Sequence, residues 1–259
     1  MPLGLLDGLL APAPDKARVG WLGRQDYAHR GLHDAATPEN SLGAFTAAIA
    51  AGMGIECDVQ RSGDGQAMVF HDWELDRLTG ERGPLDHRNA AALTQVLLNA
   101  GTERIPTLRE VLGLVRGRVP LLIEIKSKRD YHVAASCLAV RRVLEGYQGP
   151  HAVMSFDPRV GQWFARHAPR TVRGLVLSEE HDRGLLGRAR RHLWLWMAKP
   201  DFLAYDVRDL PSSFAEGQRA RGLPLTTWTV NSPAKRVLAA EYADAPIAEG
   251  AGVEKGRAP

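Results

Sequence analysis

Short apolar runs alternate along this chain with longer stretches whose apolar residues recur at helical spacing. That alternation predicts parallel strands joined by crossover helices. The runs place strands over 25–30, 54–60, 67–71, 120–126, 151–156, 171–177, 202–207 and 224–230, with a further short run at 246–248. Helices are predicted over 41–51, 107–116, 131–146, 158–167, 184–197, 212–221 and 233–242. Asn40-Ser41 and Ser232-Pro233 stand where the first and last of these begin, a polar cap and an early proline that suit a helix N-terminus. Repeated strand–helix units without a separate block of strands predict a (β/α)8 barrel. One join departs from the rule. "RSGDG", residues 61–65, is too short for a helical crossover, so either the second and third runs are joined irregularly or one of them is not a barrel strand.

Composition narrows the picture. With 259 residues, 44% of them hydrophobic, the chain can bury the core of one barrel domain, here 25–259, preceded by a lead-in over 1–24. The only long irregular stretch, 73–105, reads as an insertion after the third strand, docked by an apolar stripe at Leu93, Val96 and Leu97. The 33 Lys+Arg against 30 Asp+Glu give +3, scattered apart from "RARRH" at 188–192, which does not point to nucleic acid as a partner. Cys57 and Cys137 fall in a strand and a helix and read as reduced, buried thiols, which fits a cytoplasmic protein. "MPLGLLDGLLAP" is too short to span a bilayer and carries Asp7, so no stable membrane insertion is expected.

The charged residues then fall into place. On a strand, Glu56 and Asp58 share one face while Ile55, Cys57 and Val59 take the other; in "PLLIEIK" the same alternation pairs Glu124 with Lys126. His29 and Arg30 close the first run, and His71 and Asp72 close the third. In barrels of this kind the C-terminal strand ends carry the active site. Three carboxylates gathered there repel one another and lose hydration unless a positive group joins them, and a hard divalent cation, Mg²⁺ or Ca²⁺, suits an all-oxygen donor set. His29 and His71 are then available for proton transfer, and Arg30 and Lys126 for an anion. The combination points to cleavage of a phosphate ester. Trp228 is a candidate to flank substrate, as is Phe156, for which a core position is at least as good a reading.

Taken in order, "AHRG…PENS…AF", "GIECDVQRSGDGQAMVFHD", "LDRLTGERG", "IPTLREVL", "LLIEIK", "MSFD" and "TTWTVN" resemble the glycerophosphodiester phosphodiesterase family over about residues 27–231. The resemblance implies a phospholipase-C-like phosphodiesterase barrel that hydrolyses small glycerophosphodiesters to glycerol 3-phosphate and an alcohol. It places the metal-binding acids on Glu56, Asp58 and Glu124, the histidine pair on His29 and His71, the phosphate side on Arg30 and Lys126, and the acid of the "PEN" motif on Glu39. Where relatives usually have a threonine-aspartate-x-proline run late in the chain, this one has "APIAEGAGVEKGRAP" at 245–259.

Other readings stay open on the residues alone. A lysophospholipase-D-like enzyme at a membrane surface needs an apolar acyl channel and an interfacial face, of which "HLWLWMAK" at 192–199 beside the arginines is a hint, though helix packing is the commoner explanation. A non-catalytic barrel used as a binding module is expected to lack one of the acids or histidines, and none is missing. The acids could also pair with Arg30 and Lys126 in a structural ion network. Head-group preference, the metal and the oligomeric state are not legible.

Overall fold

The computed structural model describes residues 3–99, 101–128, 130–180 and 183–253. In chain order the elements are α1 (Leu3–Leu10), α2 (Lys16–Val19), β1 (Tyr27–Ala28), α3 (Leu42–Ala50), β2 (Gly54–Arg61), β3 (Ala67–Val69), α4 (Ala90–Leu93), α5 (Leu108–Val115), β4 (Leu121–Ile125), α6 (Val133–Leu144), β5 (His151–Ser155), α7 (Pro158–His167), β6 (Val172–Leu177), α8 (Leu185–Ala198), β7 (Phe202–Asp206), α9 (Ser213–Ala220), β8 (Leu225–Val230), α10 (Pro233–Tyr242) and β9 (Ala245–Ala248). They form two compact units, one of residues 27–151 and one of residues 3–26 with 152–253.

In the first unit β2 runs parallel to both β1 and β4, with Tyr27 opposite Gly54 and Asp58 opposite Glu124. Gly54 is required by its neighbour: a Cβ there would stand 2.5 Å from the Tyr27 ring. Ile55, Cys57, Val59, Leu121, Ile123 and Ile125 are buried on one face of these strands, and the polar residues between them are buried too. A parallel strand enclosed on both faces is the ordinary case for an α/β sheet. The helices start where the caps sit. Ser41 accepts from Ala44 N at the start of α3, and Thr107 with Glu110 forms a reciprocal capping box on α5.

In the second unit β5 to β9 are parallel in sequence order, each strand paired to the next. Asp157-Pro158 and Ser232-Pro233 open α7 and α10 with a capping side chain followed by proline at the first helical turn. The lead-in over 1–24 contains a helix, α1, which packs against α8. Both cysteines are free and buried, as expected.

Two strand-level expectations change. The first strand, expected over 25–30, is confined to Tyr27–Ala28 because Arg30 (φ 56°) and Gly31 (φ 81°) turn the chain into the left-handed region immediately afterwards. At Gly31 a side chain would also strike the Cβ of Ala44, 2.8 Å away. The third run is not a barrel strand: β3 pairs antiparallel with β2, Val59 opposite Val69, which is why five residues suffice to join them. Its removal leaves three parallel strands in one unit and five in the other, the number a (β/α)8 barrel needs.

The segment 73–105 has its own small core of Leu75, Leu85, Leu93, Val96, Leu98 and Ile105 against Met68 and Phe70. Leu97, expected in the docking stripe, is 48% exposed. Helical spacing misplaced it because α4 ends at Leu93 and the chain then runs extended, with Leu97 bridged to Arg104 and Leu98 to Thr79, so alternate residues face inward. Phe156 is 40% exposed and stands edge-on to Trp228 at 5.3 Å, so it is not a core residue.

Candidate active site

The alternation of β2 and β4 puts Glu56, Asp58 and Glu124 on a common face, and the register sets Asp58 beside Glu124 on the neighbouring strand. All three are buried, and an oxygen from each lies within 4.8 Å of the other two. Lys126 follows the last residue of β4. Its backbone N–H still donates to Val59 O at 2.9 Å, which keeps the side chain on the acid face, with Nζ 3.1 Å from Glu124 and 3.4 Å from Asp58.

Left-handed backbone at Arg30 aims its amide back at the acids, where it donates to Glu56 Oε2 at 3.0 Å. The Arg30 guanidinium stands 3.3 Å from Asp58 and donates to Glu39 Oε1 at 2.7 Å. Asn40, also left-handed at φ 57°, donates from Nδ2 to Asp58 Oδ2 at 3.0 Å and accepts from the Asp58 amide at 3.2 Å. Two strained non-glycine residues flanking one carboxylate cluster are the kind of backbone that function retains.

Electrostatics divide the acids. Burial, then the charges of Asp58 and Glu124, push Glu56 well above the usual carboxylate range. Burial acts the same way on Asp58 but is outweighed by Lys126, His71 and Arg30, which hold it at about 2. A buried site with one carboxyl forced up by its fellows is short of positive charge. Three clustered carboxylates offering oxygen alone fit a hard divalent cation, and neither cysteine competes as a soft ligand.

His71 follows β3 and is oriented from behind: its Nδ1 is 2.6 Å from Asp72 Oδ1. An ionised carboxylate can only accept, so facing it Nδ1 is the donor and Nε2 is the ring nitrogen left for another partner. Arg77 holds Asp72 in turn, with Nε 2.5 Å from Oδ2 and Nη2 2.9 Å from Oδ1, and spans to both oxygens of Glu39 at 2.9 and 3.2 Å. Although burial opposes it, the two guanidiniums hold Glu39 below its usual range, and Asp72 is lowered against the same opposition. An unbroken chain of polar contacts therefore runs from His71 through Asp72, Arg77, Glu39 and Arg30 to Asp58. Gln60 pins the chain after β3 by donating to the carbonyls of Phe70, His71 and Asp72. His29 follows β1 directly, and one of its ring nitrogens lies within 4.8 Å of one of His33.

One unit thus holds His29, Arg30, Glu39, Glu56, Asp58, His71, Glu124 and Lys126. Trp228 belongs to the other, half-buried on β8 with its indole N–H donating to Ala204 O at 3.1 Å. Sequence reasoning passed over Asn40, Gln60 and Arg77. Asn40 looked like a helix cap, a role Ser41 performs. Arg77 lies on an irregular segment where no periodicity announces direction.

The family described as glycerophosphoryl diester phosphodiesterase matches residues 29–254. The chain belongs to this family. By that membership it is a phosphoric diester hydrolase. It is 30% identical to "Probable glycerophosphodiester phosphodiesterase 2" of Mycobacterium tuberculosis, over 86% of this chain and 85% of the relative. It is also 30% identical to the glycerophosphodiester phosphodiesterase of Caldanaerobacter subterraneus subsp. tengcongensis, over 79% and 84%. Among solved structures it resembles an Oleispira antarctica phosphodiesterase in complex with sn-glycerol-3-phosphate, with a TM-score of 0.76, 24% identity, and coverage of 86% of this chain and 92% of that one. The fold is the (β/α)8 barrel of the glycerophosphodiester phosphodiesterases.

Proposed function

We propose that the chain hydrolyses glycerophosphodiesters to glycerol 3-phosphate and an alcohol, using His29 and His71 as proton carriers and Glu56, Asp58 and Glu124 to hold one Mg²⁺ or Ca²⁺. The observation that carries this reading is the meeting of three buried carboxylates, a lysine, an arginine and a carboxylate-oriented histidine on one strand-end face. When bound, the cation supplies Lewis-acid stabilisation of the negative charge on phosphoryl oxygens.

The side chains supply the remainder. Arg30 and Lys126 orient the phosphate, the guanidinium fixed in plane by Glu39 and Asp58. As the attacking oxygen closes on phosphorus, one histidine takes its proton; as the P–O bond to the alcohol breaks, the other histidine protonates the departing oxygen, so the pair ends with its protons exchanged and none lost. Asp72 holds the His71 ring and stabilises its protonated form, and Arg77 holds Asp72. The Oleispira antarctica enzyme's complex with sn-glycerol-3-phosphate supports a small polar product for this site as well. The structural ion network remains as the account of how Arg30 and Lys126 are held before substrate arrives, but by itself it leaves Asp72 and Arg77 orienting His71 to no purpose.

Substrate size separates this reading from a lysophospholipase-D-like one. A long acyl chain needs a continuous apolar groove, since each buried methylene contributes about 0.8 kcal/mol. The segment 73–105 instead buries most of its large apolar residues in its own core, Leu97 excepted, and leaves mainly polar side chains at its surface. Glycerophosphocholine, glycerophosphoethanolamine or glycerophosphoglycerol is expected to be cleaved with higher kcat/KM than lysophosphatidylcholine, measured below the micelle concentration of the lysolipid. A preference for the lysolipid would replace the proposed substrate class.

A further inference from the structure

Within the unit that carries the acids, Trp73 and Tyr131 meet from two separate loops. Trp73 is the second residue after His71, and Tyr131 lies between β4 and α6. Their ring centroids are 5.3 Å apart with the planes at 62°, so the two faces form a corner. Both residues are half-buried, and Trp73 is not among the residues that build the small core of the segment 73–105. An ammonium fills the corner. Lys128 Nζ lies 4.6 Å from the Trp73 centroid and 5.5 Å from that of Tyr131, both inside the roughly 6 Å over which a ring face attracts a cation.

The corner adjoins the proposed phosphate side. Lys128 is the second residue after Lys126, and two residues of chain span at most about 7 Å. The same span joins Trp73 to His71. A head group joined to a phosphate beside Lys126 and His71 therefore starts a short way from the two rings, and choline carries its nitrogen two carbons beyond the ester oxygen. Lys128 is exposed, and its ammonium is a strongly hydrated charge on a flexible stem, so it returns to water at little cost. A quaternary ammonium has methyl groups in place of N–H donors, gains less from water, and is the cation that clustered aromatic faces recognise. Burial raises the Tyr131 hydroxyl above its ordinary range, and Asp86 and Arg61 then act on it in opposite directions, so no single charge at that flank chooses the head group in place of the rings.

We propose that the Trp73–Tyr131 corner is a head-group subsite that takes the quaternary ammonium of choline, and that the Lys128 ammonium holds the place of that cation until substrate displaces it. The subsite presupposes the hydrolysis proposed above and narrows its substrate class: a diester with a choline head group is preferred to one whose head group is uncharged.

The test compares kcat/KM for glycerophosphocholine with kcat/KM for glycerophosphoglycerol in the full, metal-replete chain. The ratio is expected to favour glycerophosphocholine, to fall roughly fivefold in Trp73→Leu and in Tyr131→Leu through KM rather than kcat, to hold in Tyr131→Phe, and to rise in Lys128→Ser, which empties the corner. Glycerophosphoglycerol kinetics close to wild type report that the ring variants are folded, and either ring variant serves alone if the other fails that check. Ligand-observed NMR with choline chloride gives a readout that needs no turnover: saturation transfer to choline is expected with the wild type and is expected to be lost in Trp73→Leu. Choline bound in this way by a chain that cleaves no diester supports the corner and overturns only the reaction. Diester cleavage with a ratio that is indifferent to both ring substitutions overturns the corner and leaves the reaction standing. So does a ratio that falls in Lys128→Ser, since the lysine and not the pair of rings then reads the head group.

Discussion

Replacing His71 with alanine is expected to lower kcat on glycerophosphocholine by roughly 100-fold or more, and His29→Ala by a similar factor, because each removes one of the two proton transfers on which departure of a poorly leaving alkoxide depends. The two losses have different remedies. A nitrophenyl phosphodiester, whose leaving group needs no proton, is expected to recover much of its rate in whichever variant lacks the acid and none in the variant lacking the base. The wild-type rate is expected to pass through a maximum with pH as one imidazole must be neutral and the other charged. Asp72→Asn keeps the hydrogen-bond geometry at 2.6 Å but removes the charge behind Nδ1, so a smaller loss in kcat with little change in KM is expected. Near-normal kcat in either histidine variant assigns that residue a structural role.

Removal of the cation is expected to cost at least as much. Protein stripped with a chelator should lose diesterase activity and regain it with Mg²⁺ or Ca²⁺. Glu124→Gln should lose roughly 100-fold or more and fail to recover at metal concentrations that restore the wild type, since one anionic ligand of three has gone. The variant does not unbalance the fold: Glu124 loses its contact with Lys126, which keeps Asp58 at 3.4 Å. Full activity after stripping, with elemental analysis showing no metal, contradicts this part of the account.

The barrel and the acid cluster were legible in the sequence because both follow from periodicity. Alternation along "GIECDVQ" and "LLIEIK" puts Glu56, Asp58 and Glu124 on one face whatever the surrounding loops do, and the strand register then brings them together. Periodicity failed where the backbone leaves regular structure. The shortness of β1 depends on left-handed residues at Arg30 and Gly31, a conformation that arginine does not advertise. The antiparallel course of β3 was signalled only by the brevity of "RSGDG", a clue that allowed two interpretations. Arg77 and Glu39 meet across 38 positions on irregular chain, so nothing in local spacing links them. The outward leucines of α1 were hidden for a different reason. Binary patterning assumes that apolar residues turn inward, and around Asp7 the pattern is reversed.

The identity of the product decides which P–O bond of a glycerophosphodiester this chain breaks. Glycerophosphocholine turned over by the purified, metal-replete chain in ¹⁸O-water and followed by ³¹P NMR is predicted to give glycerol 3-phosphate and choline, with the new oxygen on the glycerol 3-phosphate phosphorus. Formation of phosphocholine and glycerol, or no turnover by a folded chain with metal bound, would contradict the account.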